Sequence, residues 1–97
     1  ISEQNRLFNL LKNFKNHGIG VVIGEYAVAM LKNKDGSYSR KENDVLWLEN
    51  VIDNCDKNNY APFLWDCNNY FHKKGKLGFT DSDIDELYKS RRYELEN

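Results

Sequence analysis

The sequence lacks an excess of charge of either sign. Its 14 Lys and Arg residues nearly balance its 15 Asp and Glu residues, which leaves a formal net charge of −1. It also lacks an internal repeat, a low-complexity segment, an apolar run of membrane-spanning length and a recognisable signal peptide. Electrostatics and hydropathy therefore give no reason to expect a nucleic acid or a membrane as partner.

Cysteine and histidine are scarce. Cys55 and Cys67 do not have the spacing of metal ligands, and neither His17 nor His72 pairs with a cysteine or an acid at such a spacing. We therefore predict no metal and no cofactor. A disulfide between the two cysteines is possible but would not form a framework, so the redox compartment stays open.

The length of 97 residues limits the chain to at most one domain with a modest core. Because the first residue is Ile1 rather than Met, we expect that the chain was processed or cut from a longer protein. Aromatic residues make up 13% of it, which suits either a sizeable core or a surface that stacks on flat ligands. Composition leaves both interpretations open.

The rest of the chain is organised around one β-branched run, Ile-Gly-Val-Val-Ile-Gly-Glu, at residues 19–25. Successive residues of a strand point to opposite faces, yet both faces of this one would be apolar, which is typical of a strand in a covered parallel sheet. We predict a strand from Ile19 to Ile23, with Gly24 allowing the backbone to turn. Glu25 would then lie at the carboxyl end of the strand, where α/β enzymes place catalytic groups.

An amphipathic helix is predicted before this strand, from Ser2 to Phe14, with Ser2 as its N-cap. Gly18 suits the left-handed position just past a helix end, so Asn16, His17 and Gly18 should stop the helix. Its apolar face would consist of Leu7, Leu10, Leu11 and Phe14.

Ser39 and Glu42 have the spacing of a capping box, which predicts the start of a second helix. Asn58 and Asn59 should end it, and a second apolar strand should follow from Tyr60 to Trp65. Pro62 cannot donate a ladder hydrogen bond and should lie near the start of that strand. The apolar face of the helix would comprise Val45, Leu48, Val51, Ile52 and Cys55.

A third helix should open at Thr80 with Asp83 and run through Ile84, Leu87 and Tyr88 to a solvated basic end at Lys89–Arg92. The order helix, strand, helix, strand, helix is a βαβ unit with a flanking helix on each side. Two parallel strands with apolar faces and free edges would be marginal alone. The chain is therefore expected to belong to a larger sheet.

The ends of the two predicted strands carry the residues that could do chemistry. In a βαβ unit both carboxyl ends point the same way, so Glu25 and Trp65 should be neighbours across one rim. A carboxylate beside an indole suits sugar chemistry. The indole stacks on the apolar C–H face of a pyranose while the carboxylate reaches the anomeric carbon.

These two strand ends resemble glycoside hydrolase family five, the cellulase family A. Ile-Gly-Glu-Tyr at residues 23–26 and Leu-Trp-Asp at 64–66 match the ends of its seventh and eighth strands, and the resemblance covers nearly the whole chain. It implies that residues 1–97 form the carboxyl-terminal quarter of one catalytic (β/α)8 TIM barrel, not an independent domain. It also implies that Glu25 is the nucleophile of a retaining mechanism and that Trp65 stacks beneath the sugar. Asp66 could bind substrate through a hydrogen bond, but we favour a role in which it orients its neighbours.

The resemblance implies a secreted, extracellular endo-β-1,4-glucanase that acts on plant cell-wall β-glucan. Ala27 and Cys67-Asn68 depart from the family pattern, where Gly and Asn-Gly are common, so the shape of the loops is in doubt. A retaining glycosidase needs a second carboxyl about 5 to 5.5 Å from the nucleophile. The family carries it on an earlier strand, so its counterpart should lie outside this chain, in the remainder of the barrel.

Other interpretations stand beside this one. The chain could be a non-catalytic α/β carbohydrate-binding or interaction module that kept the rim of the barrel without its chemistry. Trp47 lies inside an amphipathic segment and should contribute to the packing of that helix. His17, at a helix end, should have a structural role, and His72, in a Lys-rich loop, should be exposed to solvent. Tyr38 and Tyr70 are loop aromatics that could line outer sugar subsites.

Overall fold

The computed structural model describes residues 1–66, 70–71, 75 and 78–91 of the chain. In chain order the elements are α1 (Ser2–Leu10), α2 (Lys12–Asn16), β1 (Val22–Tyr26), β2 (Leu31–Lys32), β3 (Tyr38–Ser39), α3 (Asp44–Asn58), β4 (Ala61–Leu64) and α4 (Ser82–Ser90). None of these helices is long and apolar enough to cross a bilayer.

The βαβ unit predicted from the sequence is confirmed. Strands β1 and β4 pair in parallel, and α3 forms the crossover between them. Pro62 is the second residue of β4, as expected for a residue that cannot donate to the ladder. Strands β2 and β3 pair separately as a short antiparallel hairpin, which was not predicted.

Strand β1 begins three residues later than predicted, because Ile19 still belongs to the end of the preceding helix. The Ile19 N–H donates to the Phe14 carbonyl at 3.0 Å, and the Gly18 N–H donates to Lys15 at 2.9 Å. This pair of bonds, with Gly18 at a φ of 75°, is a Schellman motif. The predicted stop at Gly18 is therefore confirmed, and the predicted strand from Ile19 to Ile23 is wrong at its start and its end.

The first helix differs from its prediction in two ways. It is interrupted at Leu11, and its N-cap is Ile1 rather than Ser2, with the Ile1 carbonyl accepting the Asn5 N–H at 2.8 Å. The buried residue of α1 is Phe8, whose ring stacks on Tyr60 with centroids 6.2 Å apart. Three leucines, Leu7, Leu10 and Leu11, were predicted to face the core. Their side chains line a groove at the margin of the core.

Helix α3 has the predicted apolar face but a different start. Leu48, Val51, Ile52 and Cys55 are buried. The expected capping box is wrong because Ser39 pairs in β3, and the Asp44 carboxylate accepts the Lys41 N–H at 2.8 Å. The predicted end is confirmed, with Asn59 in the left-handed conformation at a φ of 57°.

Helix α4 is confirmed, but its N-cap is Asp81, one residue after the predicted Thr80. The Asp81 side chain accepts the N–H groups of Asp83 and Ile84 at 2.9 and 3.1 Å. The basic end is also less solvated than expected, because the Arg91 guanidinium bonds Asp53 at 2.5 Å and Glu49 at 3.2 Å on α3. Arg92 lies outside the described residues.

The core lies on one side of the β1–β4 sheet. Its most buried members come from α3, α4 and the segment after β4, whereas Val22 and Phe63 on the sheet are 60% and 57% exposed. The strand that was predicted to be covered on both sides is thus covered on one within the described part of the chain. The uncovered face exposes the apolar side chains of Val22 and Phe63.

Alanine substitutions at Leu48 and Leu46, both on α3, should have different effects on stability. Leu48 is 0% exposed and Leu46 is 49% exposed. We expect Leu48→Ala to lower the free energy of unfolding by about 2–5 kcal/mol because it leaves a cavity. Leu46→Ala should change it by less than about 0.5 kcal/mol. Urea unfolding measures both, and equal losses would contradict the packing described for α3.

Stability at alkaline pH should depend on Cys55. Burial, followed by the charge of Asp56, raises the pKa of its thiol from 9.0 to about 11. Between these values the unfolded chain binds fewer protons than the folded one, so the free energy of unfolding should fall as pH rises. Urea unfolding across this range should give a shallower fall for Cys55→Ala, and an unchanged slope would refute the linkage.

Candidate active site

The two strand ends that carry the predicted site lie side by side. Because β1 and β4 are parallel, their carboxyl ends reach the same edge of the sheet. The ladder continues one residue past β4, where the Trp65 N–H donates to the Tyr26 carbonyl at 3.0 Å. Trp65 therefore lies beside the residue that follows Glu25, as the sequence predicted for neighbouring strand ends.

A β-bulge interrupts this ladder at Glu25. Ile23 pairs with Pro62 and Tyr26 pairs with Leu64, so Gly24 and Glu25 together oppose the single residue Phe63. A bulge of this kind re-aims side chains, and bulges are frequent next to active sites. Glu25 is thus part of an irregular strand end rather than the first residue after a strand.

The bulge also changes which side chains share a face. Ile23 and Tyr26, three residues apart, both line the groove beneath α1, although a regular strand would place them on opposite faces. Glu25 lies between these two residues and is exposed to solvent. In the sequence, the signal for the bulge was Gly24, since a glycine inside a strand pattern suggests one.

Trp65 lies on the uncovered face of the sheet. Leu64, the register partner of Tyr26, is half-buried against the core, so its neighbours Phe63 and Trp65 project to the other side. Both aromatic side chains are 57% exposed. The carboxylate of Glu25 and the indole of Trp65 are therefore both open to solvent at the carboxyl ends of the two strands.

Asp66 closes the loop that follows Trp65. Its Oδ1 accepts the Tyr70 N–H at 2.9 Å and the Phe71 N–H at 3.3 Å. The favoured role for Asp66, which was to orient its neighbours, agrees with these two bonds, and substrate binding by Asp66 stays a prediction. Among the described residues, the carboxylates other than Glu25 and Asp66 belong to the helices, the N-cap of α4, the hairpin turn and the segment just before α3.

Tyr70 was predicted to line an outer sugar subsite, and this is wrong because its side chain is 1% exposed. Its hydroxyl donates to the Val28 carbonyl at 2.8 Å and accepts the Val28 N–H at 2.7 Å. Local sequence patterns could not predict this contact, since Val28 and Tyr70 are 42 positions apart. The tyrosine belongs to the scaffold under the rim.

Tyr38, the other predicted subsite aromatic, is exposed on the β2–β3 hairpin. The hairpin follows β1 by a few residues, and its turn is closed by Asp35, whose carboxylate accepts the Ser37 N–H at 2.9 Å. The predicted turn at residues 33–36 is thus confirmed. The short strands on each side of it were missed because each contains only two residues.

The remaining candidates lie away from the rim or outside the described residues. Trp47 packs against the core as expected, and the His17 Nδ1 lies 2.6 Å from the Asn13 carbonyl at a helix end. Cys55 is a buried free thiol, whereas Cys67 and His72 fall outside the described residues. Among the residues that are described, no cluster of His, Cys, Asp or Glu could hold a metal ion.

Behind the rim, Tyr26 is a buried phenol and not an acid exposed to substrate. Its hydroxyl lies 2.5 Å from that of Tyr88, and burial raises the pKa of both side chains. Both hydroxyls therefore remain protonated and act as hydrogen-bonding groups of the core. The neutral pair anchors the end of β1 to α4, directly behind Glu25.

Comparison of the chain with protein-family models, with curated proteins and with solved structures finds no match. The chemistry of the site therefore has to be argued from its own residues. An exposed carboxylate can act as a nucleophile, and an exposed indole beside it can bind the apolar face of a ring.

The two tryptophans should respond differently to a soluble quencher. Trp65 is 57% exposed and Trp47 is partly buried against the core. In the Trp47→Phe variant the remaining emission should lie at longer wavelength and be quenched more strongly by acrylamide than in Trp65→Phe. Steady-state fluorescence of the two variants checks this, and equal quenching would exclude an open indole at the rim.

Proposed function

We propose that this chain is the carboxyl-terminal quarter of a retaining glycoside hydrolase, an endo-β-1,4-glucanase with a (β/α)8 barrel. The observation that carries the proposal is that Glu25 and Trp65 are both exposed at the carboxyl ends of two adjacent parallel strands. In barrel enzymes this end of the strands holds the active site. The resemblance to family five assigns the same two positions to the nucleophile and the sugar platform.

The proposed reaction has two steps. A Glu25 carboxylate oxygen attacks the anomeric carbon, and the bond from that carbon to the leaving oxygen breaks. A carboxylic acid from the remainder of the barrel donates its proton to the leaving oxygen. The same group, now a base, takes a proton from water as the water attacks the glycosyl-enzyme, which releases Glu25 and the sugar.

Trp65 contributes binding and orientation. Its indole offers a flat apolar surface, and the C–H face of a β-linked glucose unit presents a complementary one. Stacking fixes the ring so that its anomeric carbon lies near the carboxylate, which lowers the entropic part of the barrier. Since the substrate is a polymer outside the cell, we propose that the complete enzyme is secreted.

The open surfaces of the sheet support a larger barrel over a stand-alone module. Within the described residues β1 pairs only with β4, so its other edge is free. Next to that edge lies an apolar groove of about 420 Å³ between α1, β1 and α3, lined by Leu7, Leu10, Leu11, Ile23 and Trp47 among others. Further strands of the same barrel would pair with the edge and fill the groove.

A fluorinated substrate tests the assignment of the nucleophile. In the complete protein that carries this chain, a 2-deoxy-2-fluoro-β-cellobioside with a reactive leaving group should form a stable ester on Glu25. Fluorine slows both steps and the leaving group speeds the first, so the intermediate accumulates. Peptide mass spectrometry locates the label.

The matched variants are Glu25→Gln and Glu86→Gln, the latter an exposed carboxylate on α4. Glu25→Gln should take no label and lose at least about 10³-fold in kcat, whereas Glu86→Gln should behave like the parent. Label on a different carboxylate would end the assignment. A cooperative monomeric fold of residues 1–97 alone that binds glucan without hydrolysis would favour the non-catalytic module instead.

A further inference from the structure

A buried phenol links the two segments that leave the proposed active-site rim. The Tyr70 hydroxyl bonds both the N–H and the carbonyl of Val28, three residues after Glu25. The Tyr70 backbone N–H bonds the Asp66 carboxylate, one residue after Trp65. One residue therefore contacts both the segment that follows the carboxylate and the segment that follows the indole.

These contacts complete a closed circuit of bonds around the rim. On one side, the Trp65 N–H donates to the Tyr26 carbonyl at 3.0 Å. On the other side, Val28, Tyr70 and Asp66 connect the same two segments beyond the ends of the strands. Because a closed circuit restrains relative motion more than a single bond does, the backbone around Glu25 is held against that around Trp65.

Tyr70 is itself anchored to the rest of the fold. Its carbonyl accepts the Thr80 N–H at 2.7 Å, and the next residue, Phe71, bridges to Phe79 with ring centroids 4.5 Å apart. Phe79 in turn stacks on Tyr88 of α4 at 5.1 Å. Tyr70 therefore connects α4 and the core to the backbone at Val28, three residues after Glu25.

We propose that Tyr70 is a positioning residue of the active site, which holds Glu25 at a fixed distance from the sugar platform Trp65. The inference rests on the proposed glycosidase function but concerns a residue that contacts no substrate. The hydroxyl is the essential group, since it satisfies both backbone polar groups of one residue, Val28. Without it, the Val28 N–H and carbonyl lose this partner and the segment after Glu25 can shift.

The test compares Tyr70→Phe with Tyr60→Phe in the complete protein. Each variant removes one buried hydroxyl from the same core, but the Tyr60 hydroxyl has no hydrogen-bond partner among the described residues. Hydrolysis of an aryl β-cellobioside gives kcat and KM. Hydrogen–deuterium exchange of the Val28 amide reports on the bond itself and does not depend on activity.

We expect Tyr70→Phe to speed exchange at Val28 by about tenfold or more. It should lower kcat by about 10- to 100-fold, because small misplacements of reacting groups are costly. KM should change by less than about threefold, since Trp65 still stacks on the sugar. Tyr60→Phe should leave the exchange at Val28 unchanged and reduce kcat by less than about threefold.

Two results would overturn the inference. Unchanged exchange at Val28 in Tyr70→Phe would show that the hydroxyl does not hold this segment. Faster exchange with an unchanged kcat, or equal kcat losses in both variants, would show that the bond serves stability alone. Failure of the proposed function is separate, because the parent protein would then hydrolyse no β-cellobioside, or Glu25→Gln would keep full activity, whatever exchange at Val28 shows.

Discussion

The parallel ladder between β1 and β4 is the constraint on which the rest of the structure depends. It brings two segments almost forty residues apart into register and directs both carboxyl ends to one edge. Helix α3 spans the crossover and supplies four buried core side chains, Leu48, Val51, Ile52 and Cys55. Without this pairing, Glu25 and Trp65 would be unrelated residues on separate loops.

The uneven covering of the sheet follows from the number of helices that the chain provides. Helices α1, α3 and α4 contribute buried residues to a single core, and burial there offsets the cost of ordering the chain. The opposite face has no such partner among the described residues, so Val22 and Phe63 remain exposed. A protein of this kind gains stability when further strands cover the free edge and the open face, which is the arrangement of a barrel.

The proposed site combines an exposed chemistry with a buried support. The carboxylate and the indole are exposed at the carboxyl ends of the two strands, while Tyr26 and Tyr70 nearby are fixed in the core by their hydroxyls. This separation suits the proposed reaction, in which the nucleophile must reach the sugar and yet be held in place. The bulge at Glu25 makes this strand end irregular, and bulges are frequent next to active sites.

Local patterns by themselves determined the βαβ order, the stop at Gly18 and the apolar face of α3. Each depends on residues that are neighbours along one turn or one strand, so the sequence contains the whole signal. Tertiary structure alone decided the bulge, the burial of Tyr70 and the choice of Phe8 over the leucines beside it. In those cases the local alternatives differ little in free energy, and contacts between residues distant in sequence select among them.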